Sequence, residues 1–378
     1  MSEQMTTDGL HLPSLSIRGF RGIPRLDVER LGRVTLLTGR NGVGKTTVLD
    51  AVRLYAERGS LFALHEILAR HEELETWPDD DDGWDERPVF EALFSGRHPE
   101  MHSSFAVGPE SGEARVCVTI VAPDKISRDQ LLPFESRSGP FDSPILQIAF
   151  GQHQQFVPVF DKLDPAYEPL ILSGRRSRHL FPGLEWPDSV ACVALGPGLP
   201  SNRQAAAHWD DLAAGPREEL ALGALQLACA GTIVRIAAVA GSARTRDRRI
   251  VVGLADGERV PLRSLGDGAA RLFGLTIAFS SAAGGFLLID EAENGIHHSL
   301  QTDYWRLVFQ AARDNDVQVL ATTHSWDCVE GFARAASEDE QSEGVAIRLE
   351  RGDDGDLRAV EYSEDTLRVA AERGIEIR

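Results

Sequence analysis

Eight residues, Gly39-Arg40-Asn41-Gly42-Val43-Gly44-Lys45-Thr46, fit the pattern G-x-x-x-x-G-K-[ST], whose residue types suit a chain of phosphates. The N–H groups of a glycine-rich turn converge as an anion-binding concavity. A helix that begins there points its positive end at the same charge. Lys45 is placed to reach β- and γ-phosphate oxygens, and the Thr46 hydroxyl to ligate Mg²⁺; Thr47, next on the helix, is counted with the nucleotide-binding residues. The flanks agree. Apolar residues 33–37 lead in as a buried strand, and Lys45, Leu49, Val52 and Leu54 follow at helical spacing.

Two later positions could complete phosphate chemistry. Asp290-Glu291 closes the apolar run Phe286-Leu287-Leu288-Ile289. A magnesium ion beside Thr46 needs another hard oxygen ligand, which Asp290 at a strand's carboxyl end supplies. Glu291, one residue on, is placed to polarise an attacking water as general base. Thr322-Thr323-His324 ends the next apolar run, with His324 34 residues after Asp290. The carboxyl ends of parallel strands line the crevice where open α/β sheets bind ligands. His324 could therefore donate a hydrogen bond to the γ-phosphate or hold the attacking water. A third segment, Leu262-Arg263-Ser264-Leu265-Gly266-Asp267-Gly268, ends 22 residues before Asp290 and opens a helical pattern. Alone it reads as a turn and N-cap; the helix behind it makes it a second anion site.

The elements that must position these residues follow from periodicity. Residues 15–20 and 26–31 alternate as strands before the phosphate loop, and the helix after it is predicted to stop at Gly59. Residues 60–97 read as helix and then charged loop. Residues 114–121, 145–150 and 156–160 read as strands. Residues 182–200 form a proline-rich connection, and residues 203–240 carry helix-like spacing at Leu220, Leu222, Leu225, Leu227, Ile233, Ile236 and Val239. Residues 249–254 are predicted as a strand, with a helix running through Arg271, Leu272, Leu275 and Ile277. Phe286–Ile289 is a central strand, 301–312 a helix and 317–321 a further buried strand. Strands alternating with helices predict an α/β fold with a mostly parallel central sheet.

Composition bounds the rest. The 378 residues carry a formal net charge of −19, which argues against coating nucleic acid by bulk electrostatics. Acid concentrates at residues 72–86, around Asp79-Asp80-Asp81-Asp82, and reads as a solvated loop. Base concentrates in Arg175-Arg176-Ser177-Arg178-His179 and in Arg244-Thr245-Arg246-Asp247-Arg248-Arg249. Each arginine cluster reads first as a solvated face or local ion pairs, and second as a DNA or phosphate contact. Four scattered cysteines, Cys117, Cys192, Cys229 and Cys328, form no CxxC pair, as expected of reduced thiols in a cytoplasm. No run approaches the roughly 18 apolar residues of a membrane span, so no membrane association is expected. The first residues show no basic region before an apolar core, so no signal peptide is expected.

The order of these motifs resembles that of the ABC-type ATPases: phosphate loop, Ser/Gly loop opening a helix, apolar strand with Asp-Glu, then strand with His. Within them it is similar to the branch containing the SMC, RecF and OLD ATPases. Ile17-Arg18-Gly19-Phe20-Arg21-Gly22 is similar to that branch's opening strand. Leu287-Leu288-Ile289-Asp290-Glu291-Ala292-Glu293-Asn294-Gly295-Ile296-His297 resembles the OLD-type Walker B and D-loop. Ser264-Leu265-Gly266-Asp267-Gly268 and Thr322-Thr323-His324-Ser325-Trp326-Asp327 resemble stand-alone OLD-like ATPases. The specific resemblance covers residues 12–60 and 250–330, and residues 345–378 look like that group's tail.

The resemblance implies an ABC-type head with an N-terminal antiparallel β part. Residues 1–60 and 245–378 would be the ATPase core, and residues 61–244 a mixed β-rich and helical insertion. It implies ATP and Mg²⁺ as cofactors and a homodimer, or higher even-numbered oligomer, closed head to tail around two ATP molecules. The phosphate loop, Asp290, Glu291 and His324 would act in cis, while Ser264, Gly266 and Gly268 would contact the γ-phosphate of the opposite subunit. Arg21 matches an arginine that lies by the nucleotide in SMC-like heads. Leu265 stands where the family has its signature serine, and Gln147, Gln152, Gln154 and Gln155 are undiscriminated candidates for a glutamine switch. No coiled coil occupies the 217 residues between Thr46 and Ser264, and the 54 residues after His324 are too few for a TOPRIM nuclease domain. The expected function is an ATPase that controls a separately encoded effector, such as a TOPRIM nuclease or a toxin in phage defence. Two alternatives stand beside it: a RecF-type repair ATPase that clamps DNA, and a degenerate head that hydrolyses little. Intact Lys45, Asp290 and Glu291 argue against the latter. A ring-forming AAA+ motor is disfavoured because the Ser/Gly loop precedes the Asp-Glu strand.

Overall fold

A computed structural model describes residues 9–78, 84–110, 114–126, 143–157, 186–196, 198, 205–206, 209–210, 212–213, 217–229, 232–240, 248–339, 343–353 and 355–362. Two six-stranded sheets organise them. The first is antiparallel throughout, in the order β2 (Ile23–Val28), β1 (Leu15–Phe20), β6 (Ser104–Gly108), β7 (Val116–Val121), β8 (Ile145–Phe150), β9 (His153–Val157). The second runs β10 (Cys192–Leu195), β14 (Phe286–Ile289), β15 (Gln318–Thr322), β3 (Val34–Thr38), β16 (Gly344–Arg351), β17 (Leu357–Tyr362). Its pairs are parallel except for the closing antiparallel hairpin of β16 and β17. β17 also lies against β2, which brings the two sheets together. Residues 61–244 thus supply strands to both sheets.

The central strands are apolar on both faces, as a parallel sheet covered on both sides requires. Along β14, Phe286 and Leu288 enter a core shared with the first sheet, α1 (Lys45–Ala56) and α2 (Leu61–Arg70). Leu287 and Ile289 face the other way, with Val34, Leu36, Val319 and Ala321. That second core is roofed by α4 (Asp267–Ser281), α5 (Gln301–Asp314) and α6 (Trp326–Glu338), where Trp305, Phe309 and Phe332 pack edge to face or tilted. A third core lies between α3 (Arg217–Ala228), α4 and the small sheet of β11 (Ile233–Ala240), β12 (Arg248–Leu254) and β13 (Arg259–Pro261). The pleat's period of two sorts one short run into two cores, so the strand that must present Asp290 is held from both sides.

Three expectations need correction. The helical spacing assigned up to residue 240 ends at Ala228, and residues 233–240 form β11. A register shift between Ile233 and Arg235 puts Ile233 and Ile236 on the same buried side at a spacing of three. That bulge imitates helical periodicity. The charged loop after α2 is a hairpin, β4 (Leu74–Pro78) with β5 (Trp84–Pro88). The strand expected at 156–160 begins earlier, as β9. The four aspartates at 79–82, the arginine cluster at 175–179 and residues 244–247 lie outside the described residues.

Candidate functional site

The phosphate loop joins the carboxyl end of β3 to α1. Gly39, Gly42 and Gly44 take φ of 142°, 72° and 118°, backbone conformations that L side chains rarely adopt. Gly39 is required twice, because a methyl there would lie 2.6 Å from the Leu349 carbonyl oxygen. Gly44 caps α1 with no side chain over the first N–H groups, so those donors and the helix's positive end face the loop. Arg40, Asn41 and Gly42 are exposed, Val43 is buried, and Gly44, Lys45, Thr46 and Thr47 are half-buried. Lys45 Nζ donates to the carbonyls of Gly39 at 2.7 Å and Arg40 at 3.1 Å. Burial holds this amine below the ordinary lysine range, although Glu293, Asp290 and Glu291 pull it back up.

The carboxyl ends of β3, β14 and β15 converge on Asp290. The Thr46 hydroxyl donates to Asp290 Oδ2 at 3.1 Å and to Oδ1 at 3.3 Å. From β15, Thr322 Oγ1 donates to Asp290 Oδ1 at 2.6 Å and accepts the Glu291 N–H at 2.9 Å. The Ala292 N–H donates to the Thr322 carbonyl at 2.9 Å. Glu291 itself sits at φ 52°, an uncommon conformation for a residue with a side chain, stabilised by these two bonds from β15.

Thr46 and Asp290 fit a magnesium ion. Metal–oxygen distances of about 2.0–2.1 Å set adjacent octahedral ligands about 2.9 Å apart, close to the observed oxygen separations of 3.1 and 3.3 Å. Among the described residues no three His, Cys, Asp or Glu side chains cluster as a cage. Mg²⁺ commonly takes one or two protein ligands and completes its shell with phosphate and water.

His324 begins just past β15. Its Nδ1 lies 3.0 Å from Glu293 Oε1, and its backbone N–H donates to the same oxygen at 3.0 Å. The ring is half-exposed. The Ser264 loop is on the surface: Ser264 and Gly266 are exposed, and Gly266 at φ 95° opens α4 with no side-chain cap. A methyl on Gly268 would lie 2.8 Å from the Gly295 carbonyl oxygen, so this loop packs closely on the loop after Glu291. Among the described residues no hydrogen bond joins residues 264–268 to residues 39–47. The structure thus brings Lys45, Thr46, Asp290, Glu291 and His324 to one end of the sheet and leaves Ser264 and Gly266 exposed, with Gly268 half-buried against Gly295.

Arg21, at φ 50° in the turn between β1 and β2, donates from Nη1 to Glu73 Oε2 at 2.6 Å. Glu73 also takes Arg97 at 2.7 Å. Arg21 is therefore engaged by a carboxylate in this structure. Gln147 and Gln154 are diagonal neighbours on the β8–β9 hairpin, where Gln147 Nε2 donates to Gln154 Oε1 at 3.0 Å. Arg248 is paired with Asp210, its Nη2 donating at 2.8 Å.

Four residues at this site escaped sequence reasoning. Thr322 was visible only as a polar residue at the end of an apolar run, and Glu293 only as a third acid after Asp290-Glu291. Arg271 is 2% exposed on α4 and donates to the carbonyls of Gly196, of Asp290 at 3.2 Å and of Glu291 at 3.4 Å. A lone arginine within Ala269-Ala270-Arg271-Leu272-Phe273 is the signal that could have found it, because a charge on a core face must have partners. Arg351 Nη2 donates to Gly22 O at 3.1 Å and Val43 O at 3.3 Å, tying the β1–β2 turn to the phosphate loop.

The chain has the α/β fold of SMC heads. It aligns with a crystal structure of an SMC head bound to the C-winged helix domain of ScpA, at 13% identity and a TM-score of 0.50, covering 94% of this chain and 98% of that one. The SMC head domain from Thermotoga maritima aligns at 13% identity and a TM-score of 0.43, covering 94% of this chain and all (100%) of that one. Residues 240–327 match the family described as "AAA domain, putative AbiEii toxin, Type IV TA system". That stretch holds the Ser264 loop, Asp290-Glu291 and His324. The uncharacterized protein MJECL11 of Methanocaldococcus jannaschii is 28% identical over 114 residues, which is 30% of this chain and 99% of that protein.

Proposed function

We propose that this chain is an ABC-type ATPase of the SMC, RecF and OLD branch, closest to stand-alone OLD-like ATPases. It binds ATP with Mg²⁺ in the cytoplasm, closes head to tail with a second copy, and through that closure controls a partner effector. The observation that carries this reading is the junction at Asp290, where hydroxyls from the phosphate-loop helix and from the neighbouring strand both donate to one carboxylate. A chance glycine loop would have no reason to share a hydrogen-bonded carboxylate with the end of a central strand.

Within that reading the loop N–H groups and Lys45 hold the β- and γ-phosphates. Thr46 and Asp290 would hold a magnesium ion, which would supply Lewis-acid neutralisation of phosphate charge. Glu291 accepts a proton as water attacks the γ-phosphorus, the bond to the ADP oxygen breaks and inorganic phosphate leaves. His324 stands beside the same end of the sheet. The exposed Ser264 loop opens a helix and makes no hydrogen bond to its own phosphate loop among the described residues, which suits it to a nucleotide held by another copy. The family description for residues 240–327 carries the words "putative AbiEii toxin, Type IV TA system"; the effector classes in view are a toxin and a TOPRIM nuclease. The DNA-clamping reading has less support: the net charge is −19 and Arg248 is paired with Asp210.

The test is phosphate release from ATP by the purified chain. Wild type should hydrolyse ATP in a Mg²⁺-dependent manner, and Lys45→Ala and Asp290→Asn should each lower the rate by about 100-fold. Wild-type release no greater than that of Lys45→Ala would overturn the proposal.

A further inference from the structure

We propose that Glu293 is a positioning residue for His324, fixing the proton on Nδ1 so that the neutral ring presents Nε2 as an acceptor. The inference deepens the ATPase reading and rests on it for its catalytic half only.

A carboxylate only accepts hydrogen bonds. With Glu293 Oε1 at 3.0 Å from Nδ1 of His324, the proton between them belongs to the imidazole. In the neutral ring the other nitrogen, Nε2, is then without a proton. The same oxygen accepts the His324 backbone N–H at 3.0 Å, so it fixes the ring's position as well as its tautomer. Glu293 is itself well held: its side chain is 13% exposed, and its second oxygen, Oε2, is buried with no hydrogen-bond partner among the described residues. The carboxyl therefore has one oriented job on the His324 side and no competing donor on the other. His324 lies just past the end of β15, two residues beyond Thr322, which bonds Asp290 and the Glu291 N–H.

This choice of tautomer separates two roles that the sequence leaves open. A neutral His324 of this kind accepts a hydrogen bond from the attacking water. It donates to a γ-phosphate oxygen only after taking a second proton. Within the ATPase reading, the neutral ring suits the pair to water positioning alongside Glu291.

Two measurements test this. The first needs no hydrolysis: the ring nitrogens of ¹⁵N-histidine-labelled protein are read by NMR at alkaline pH, with His324→Asn identifying the signal. Wild type should show protonated Nδ1 and bare Nε2. Glu293→Gln, which keeps an acceptor oxygen, should preserve that pattern, and Glu293→Ala should reverse it. Bare Nδ1 in wild type, or an unchanged pattern in Glu293→Ala, would overturn the proposal. The second is kinetic: Glu293→Ala should lower kcat by about 10–100-fold with ATP affinity within about 2-fold. The double variant Glu293→Ala with His324→Ala should be no slower than His324→Ala alone, and additive losses would overturn the catalytic half. Thermal melting of Glu293→Ala and Glu293→Gln checks that both fold. A chain that releases no phosphate at all would fail the ATPase reading while leaving the NMR result to decide the pairing.

Discussion

The Thr46 hydroxyl donates to Asp290 Oδ2 at 3.1 Å, joining residues 244 apart in sequence. One belongs to the first turn of α1 and the other to the end of β14, so the hydrogen bond marks where the phosphate loop and the neighbouring strand share a site. Replacing Thr46 with Val keeps the shape and removes the hydroxyl. Mg²⁺-dependent ATP hydrolysis should fall about 10–100-fold, with the largest loss at low Mg²⁺. A titration of rate against Mg²⁺ concentration reads this, and an unchanged Mg²⁺ requirement would contradict the assignment of Thr46 as a ligand.

Thr322 serves Asp290 and Glu291 at once, donating at 2.6 Å and accepting at 2.9 Å. Thr322→Val leaves the Glu291 N–H without that acceptor, a loss of about 1–3 kcal/mol in stability for a buried polar group left unmade. Urea denaturation should show it as a lower midpoint with the slope unchanged. Thr322→Ser, which keeps the hydroxyl, should recover most of the loss.

Arg271 ties α4 to the loop that follows β14 by donating to the carbonyls of Gly196, Asp290 and Glu291. The N-terminus of that helix carries Gly266 and Gly268, so Arg271 couples the surface loop to the backbone of the proposed base. Arg271→Met removes the donors and should destabilise the fold by about 1–3 kcal/mol, measured by urea denaturation. Arg271→Lys should recover little of it, because a single ammonium cannot reproduce the guanidinium fork.

Cys328 on α6 is fully buried, and burial, reinforced by Glu293, pushes its thiol up to about 12 from an ordinary 9.0. At pH 8 the folded protein should leave Cys328 unlabelled by iodoacetamide, with labelling appearing only on denaturation. The sign for stability follows from the raised value. The buried neutral thiol contributes stability below about pH 9, and that contribution is lost as pH rises from 9 to 12. A Cys328→Ala variant should lose part of the alkaline decline in melting temperature seen for the wild type.

The phosphate loop, β14 with Asp290-Glu291, and β15 with His324 were legible in sequence because each is a short apolar run closed by chemistry-bearing residues. Their mutual geometry follows from the parallel sheet that such runs build. The residues that hold the site together were not legible. Thr322, Glu293 and Arg271 act through contacts 19 to 75 residues away, and no spacing rule reports such contacts. β11 was misread for a different reason: a bulge set Ile233 and Ile236 three apart on one buried side. The β4–β5 hairpin was hidden by charge, because strand propensity reads poorly where polar residues outnumber apolar ones.

In the proposed ATPase two copies complete one site, with the exposed Ser264 loop of each meeting nucleotide held by the other. Multi-angle light scattering of Glu291→Gln with ATP and Mg²⁺ tests it most directly, because the variant should bind nucleotide without turning it over. The expected result is a shift from the 41.3 kDa of one chain to twice that mass, abolished by Lys45→Ala and by Ser264→Arg. A mass that stays at 41.3 kDa with ATP bound would contradict it.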